Sequence, residues 1–251
     1  MSLRLTNTGT AAQLFADFQT VMGTTLGWVL FDDVSPTQKV FTLPADGGQG
    51  PAFVELNHDT VGFTVFLRIW QDWDNIGSVG TGDAPNVVDS TTVNGFDFPT
   101  AVATQSYRIF GGTRFIAATF NVSAGLVSSA WAGLLTTLAI PALYAVPVGF
   151  FASLGNSTAY KAFWRTDAGV GFNNTNINTF LLGNYSTAIE STSGKVPTVS
   201  VFAHGTASVE QLPGSADDVL QVPGPMNFDD TITIGANVYR VAGGGTLAYL
   251  V

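Results

Sequence analysis

Between Arg114 and Lys161 the chain carries no Asp, Glu, Lys, Arg or His. A stretch of that kind becomes a bilayer span, a core, or a surface that another protein covers. A span needs roughly 20 continuous apolar residues. Here Gly125, Gly133, Pro141, Pro147, Gly149 and Gly155 interrupt the run, and Ser128, Ser129, Thr136 and Thr137 lie within it. Its most helix-like piece, SAGLVSSAWAGLLTTLAI, has no basic residue within several positions of either end. Proline breaks a helix by removing a donor and clashing with the preceding turn, and basic flanks are what anchor a span. The run therefore predicts core and interface, with no membrane span.

The surface poses the same question. Only 11% of the 251 residues are charged, against about 25% in an average soluble protein. Just three are lysines, Lys39, Lys161 and Lys195. A monomer normally faces water with Lys, Glu, Arg and Asp, so much of this surface is neutral or covered, and a subunit of a larger assembly is expected. A hydrophobic content of 46% supplies a sizeable core. The net charge of −9 disfavours replacement of phosphate counterions, so direct nucleic-acid binding is not expected. Cysteine is absent, which excludes disulfides and thiolate metal sites. The opening MSLRLTNTGTAAQLFADFQ has no apolar leader core, so no Sec-type signal is expected.

Periodicity divides the chain into elements. Leu14, Phe15, Phe18 and Val21 fall at helical spacing behind Thr10, a candidate N-cap, and Gly23 and Gly27 punctuate the end. GWVLFDDV, KVFTL, AFVELN and VGFTVFLRIW are β-branched and aromatic runs, which predict strands of an antiparallel sheet. DNIGSVGTGDAPNVVDSTTVNG predicts a long loop, an arm that a neighbour orders. QSYRIFGGTRFIAATFN predicts a hairpin with Gly111-Gly112 in a type I′ turn. Leu126, Ala130, Leu134 and Leu138 recur every four residues and predict a second helix near 125–139, which Pro141 terminates. Short strands are expected at KAFWRT and VSVFAHG, and a closing hairpin at TITIGANVYRV.

Few residues invite chemistry. His58 and His204 are the only histidines. Glu55 and His58 are three apart, so on a strand they face opposite ways and share no metal. The chain lacks a G-x-S-x-G elbow. The doublets Asp32-Asp33, Asp217-Asp218 and Asp229-Asp230, with Asp72 and Asp74, lack the loop spacing of a calcium motif. Trp70 and Trp73 are weighed as a sugar-stacking platform, but their odd separation predicts a core Trp70 followed by Trp73 in a turn. No catalytic residue, cofactor or metal site is assigned.

The order of segments carries a resemblance. An N-terminal helix leads into LGWVLFDD and GPAFVELN, then FLRIWQDWDN and the long loop. The aromatic hairpin YRIFGGTRFIAATF, SSAWAGLL, IPALYAVPVG and the terminal TITIGANVYRV follow. This succession resembles structural proteins of tailed-bacteriophage virions, from the tail, baseplate or neck region. The resemblance implies an oligomeric, non-catalytic subunit assembled in the host cytoplasm, with copies of itself and other virion proteins as partners. A peripheral carbohydrate- or receptor-binding β-module of the tail is the alternative.

The expected architecture is mainly β with two short helices, an α+β arrangement of antiparallel sheets or a sandwich. Residues 1–76 form the helix and a sheet, 77–99 the arm, and 100–251 a second β-rich part. PALYAVPVGFF offers more apolar bulk than one small core absorbs, so Leu143, Tyr144, Phe150 and Phe151 are the candidate interface.

Overall fold

Alternation along the first residues makes a strand, and a polar cap converts it at once into a helix. The computed structural model describes residues 3–44, 51–84, 95–123, 126–134, 136–137, 148–153, 160–165, 175–176, 198–204, 210–221, 230–242 and 247–250. Strand β1 (Leu3–Gly9) runs into helix α1 (Ala11–Gln19) through Thr10, whose side chain accepts the Gln13 N–H at 3.3 Å. That bond satisfies one of the orphan donors at the helix start. Ala11, Leu14, Phe15 and Phe18 form the buried stripe. The helix widens into a π-helical turn over Thr20–Thr25, which keeps Val21 and Met22 buried. Gly27, at φ +69°, then reverses the chain in a conformation that L side chains rarely adopt.

Every strand pairing among the described residues is antiparallel, and the strands form three sheets. The first runs β2 (Val29–Ser35), β3 (Gln38–Leu43), β4 (Ala52–Asp59), β5 (Thr64–Asp74) and β6 (Val79–Ala84), with β7 (Gly95–Asp97) also on β5. The second runs β1, β8 (Gln105–Gly111), β9 (Phe115–Ser123), β10 (Leu126–Leu134), β12 (Val148–Ser153), β13 (Tyr160–Arg165) and β14 (Thr175–Asn176). The third runs β11 (Thr136–Thr137), β16 (Glu210–Gln221), β19 (Leu247–Leu250), β18 (Asn237–Ala242) and β17 (Thr231–Ile234), with β15 (Thr198–His204) on β16. The mainly β, antiparallel class expected from the sequence is the one found.

The main core lies between α1, the inner face of the first sheet and one face of the second. Leu14, Phe18 and Met22 of the helical segment meet Leu56, Leu67 and Ile69 of the first sheet and Ile109, Ile116 and Phe120 of the second. Phe98 closes on Phe120 with centroids 4.9 Å apart, so both sides of the 77–99 stretch feed one core. The opposite face of the second sheet is buried too. Phe110, Ala117, Thr119 and Trp131 are all sequestered there, and β10 touches β18 beside the buried Tyr239 and Val241. A strand covered on both faces has no position left for a charge. The charge-free run supplies β9, β10 and β12 of this sheet, and the described side chains of β9 and β10 are buried on both faces.

Three local expectations need correction. The helix expected near 125–139 is replaced by β10 and β11, with residues 125, 135 and 138–139 outside the described set. A four-residue repeat marks one side of a helix, but it also marks alternate positions on one strand face. Ala130, Ala132 and Leu134 face the main core while Trp131 stacks on Phe115 behind them. β9 and β12 bind β10 on both edges, with Ala132 opposite Ile116 and Phe150.

The Gly111-Gly112 turn is displaced. Gly111 still pairs with Ile116, Gly112 N–H donates to the Phe115 carbonyl at 3.0 Å, and neither glycine has positive φ. Gly111 instead lies close to Leu26, whose Cδ1 would have to give way to a Cβ there, at 2.7 Å. The 77–99 stretch is likewise only partly a loop, since β6 and β7 occupy its ends and residues 85–94 lie outside the described set.

The closing hairpin forms as expected. Ile234 pairs with Asn237, and Gly235, at φ +61°, takes the first position of a two-residue loop. No helix among the described residues is long and apolar enough to cross a membrane.

Candidate functional site

The densest polar and aromatic constellation lies on the first sheet's other face, away from α1. Alternation sends Val40, Phe53, Glu55 and Trp70 to this side. β2 and β6 stand at opposite ends of the strand order, yet Asp32 Oδ2 accepts the Trp73 indole N–H at 2.9 Å and the Ser78 hydroxyl at 3.0 Å. The sheet therefore curls until its first strand meets the β5–β6 turn. A β-bulge between Leu30 and Asp32 helps this closure. It brings Phe31 onto Phe53, centroids 4.9 Å apart, while its neighbour Asp32 reaches Trp73.

Glu55 sits at the centre and is 2% exposed. Its Oε1 accepts from Gln38 at 2.9 Å and its Oε2 from the Trp70 indole at 3.0 Å, with Arg68 Nη1 3.7 Å from Oε2. Both oxygens are engaged, which suits a structural anchor rather than a proton-transfer group. Trp70 and Trp73 meet edge to face at 5.7 Å. Their order differs from expectation: Trp73 is the buried ring on β5 and Trp70 the half-buried one. β4 pairs with β5 only as far as Trp70, and past that point both rings reach the same cluster. Gly80 leaves room for the Trp70 ring, since a Cβ there would fall 2.1 Å from Cδ2.

The remaining candidates are dispersed. Glu55 and His58 do face opposite sides of β4. His58 lies 5.8 Å from the Phe15 ring, where burial lowers its pKa against the opposing pull of Asp59. Asp59 is itself held low by backbone N–H bonds from Gly62 and Val61. Asp72 and Asp74 accept the Trp73 and Ile76 N–H groups at the end of β5, an ordinary strand-to-turn role. No group of three His, Cys, Asp or Glu suited to a metal occurs among the described residues. Asp217, Asp218 and His204 lie on strands whose side chains are outside the described set, and Asp229 is outside it altogether.

A second polar cluster went unnoticed in the sequence. The Tyr107 hydroxyl donates to Asp17 at 2.6 Å, and Asn7 and Gln13 donate to the same carboxylate at 2.7 and 2.8 Å. It fastens α1 to β1 and β8. Burial first, then the Asp17 bond, pushes the Tyr107 pKa well above the ordinary phenol range. No periodic signal announces a contact between residues 90 apart in the chain.

Of the candidate interface residues, Leu143 and Tyr144 lie outside the described set. Phe150 and Phe151 stand on β12 opposite Ala132 and Trp131, with their side chains outside it. The described surface adds further exposed apolar residues. Val29, Leu30 and Phe31 are exposed in succession on β2, and Val61, Ile76 and Val102 protrude from turns. Comparison with known proteins returns neither a matching family model nor a significantly similar curated protein.

Proposed function

We propose that this chain is a non-catalytic structural subunit of a tailed-phage virion, an oligomeric tail, baseplate or neck component. The observation that carries the reading is apolar exposure on ordered backbone. Ile76 is 95% and Val61 85% exposed on a chain with only 11% charged residues. Surfaces that stay in water are normally covered by charge, whereas surfaces buried on assembly are depleted in it. The doubly covered second sheet and the order of segments are consistent with this reading. Copies of the chain and other virion proteins are its partners, and it makes no direct contact with nucleic acid. The carbohydrate-binding alternative is less favoured because Trp73 is buried and meets Trp70 edge to face, so the two rings present no shared face to a sugar.

Electron microscopy of whole particles tests the proposal, with density for this chain expected in a symmetric ring or collar of the tail. Particles complete without it, together with glycan binding by the isolated chain, would favour the alternative.

A further inference from the structure

Among the described residues β2 has one strand neighbour, β3, and two register shifts interrupt its ladder to that neighbour. None of its seven residues is buried. Its other side is closed by side chains: Asp32 holds the Trp73 indole at 2.9 Å and the Ser78 hydroxyl at 3.0 Å, and Phe31 lies on Phe53. Behind this seam stand the buried Val40, Phe53 and Trp73, with Val34 of β2 packed on them. Ser78 has φ +49°, a left-handed conformation that glycine takes freely and a side chain takes at a cost. The hydroxyl that serine brings to this position is the one bonded to Asp32.

We propose that β2 is a gate, latched by Asp32, that swings away from Trp73 and Ser78 ahead of global unfolding and uncovers the Val40–Phe53–Trp73 cluster. A segment that buries little and pairs along one edge opens at the low end of a protein's stability range. The Asp33–Lys39 ion pair and the ladder to β3 tether the open strand. Trp28, buried and bonded through its N–H to the Met22 carbonyl, fixes the strand's beginning. The main core stays shut, because it lies on the sheet's other face.

The chain has no cysteine, so one introduced thiol reports opening at one place. Val40→Cys puts it behind the seam and Val54→Cys in the main core; both valines are fully buried, and cysteine packs as a small apolar side chain. With reclosing faster than labelling, a thiol reagent should label position 40 at least about tenfold faster than position 54, the mark of an opening below the global one. Low denaturant should speed labelling at 54 far more than at 40, because the gate exposes little surface. Asp32→Ala, which loses two bonds made only in the closed state, should speed labelling at 40 about tenfold, and Ser78→Ala, which loses one, about threefold. Tyr107→Phe removes a bond at α1 that survives when the gate opens, so it should speed labelling at 54 and leave that at 40 unchanged. Equal labelling of the two positions, an equal response to denaturant, or Tyr107→Phe speeding both alike overturns the proposal. So does an unchanged rate at 40 in Ser78→Ala, a variant confined to a turn and informative even where Asp32→Ala fails to fold.

Discussion

Glu55 is the only fully buried carboxylate among the described residues, and its partners explain why it is tolerated. Gln38, Trp70 and Arg68 replace the water it loses. Glu55→Ala leaves the Trp70 N–H unsatisfied and Arg68 without its counter-charge, and should cost about 3 kcal/mol in a denaturant titration. Glu55→Gln, which keeps one carbonyl acceptor, should cost less. Tyr107 supports a prediction in pH. Its raised pKa means that the fold holds the phenol proton more tightly than the unfolded chain does. The stabilisation is complete below the ordinary phenol value of about 10 and drains away as pH rises above it. Tyr107→Phe should cost about 2 kcal/mol at neutral pH, the usual loss for a bond to a charged group. It should also flatten the alkaline fall in stability, which a purely steric role for the ring would leave unchanged.

At the scale of elements, most of the first 44 residues were legible. Thr10, the Leu14–Phe18 stripe and Gly27 state the helix and its stop locally, and the strands after it follow from β-branched and aromatic runs. The mid-chain segment was not legible, because a spacing of four serves both a helix face and a strand face. What decides it is position between β9 and β12, which only the assembled sheet supplies. The chain has no cysteine, so the register is directly testable. Ala118 and Ala130 stand opposite each other. The pair Ala118→Cys/Ala130→Cys should oxidise to one disulfide in the folded chain, whereas Ala118→Cys with Trp131→Cys should not. Leu134→Asp should abolish folding as read by circular dichroism, since an unpaired charge would enter the main core. The curled face was half legible. Alternation gives its members, but the meeting of Asp32 with Trp73 and Ser78 depends on a bulge and a twist that carry no one-dimensional signature.

On the whole-molecule scale, the same scarcity of charge has two causes. Part of it is internal: β8, β9 and β10 of the second sheet pack against α1 and the first sheet on one side, and on the other β10 meets β18 of the third. That accounts for the missing charge at residues 115–120 and 130–134, which are buried. The remainder is on the surface, where Val29, Leu30, Ile76 and Val102 face solvent with few charges to accompany them. An obligate subunit hides such residues on assembly. Sedimentation velocity of the purified chain at tens of micromolar, well above typical interface dissociation constants, tests this most directly. A discrete oligomer is expected, or concentration-dependent aggregation when partners are missing. A sharp monomer peak that persists across the concentration range would contradict it.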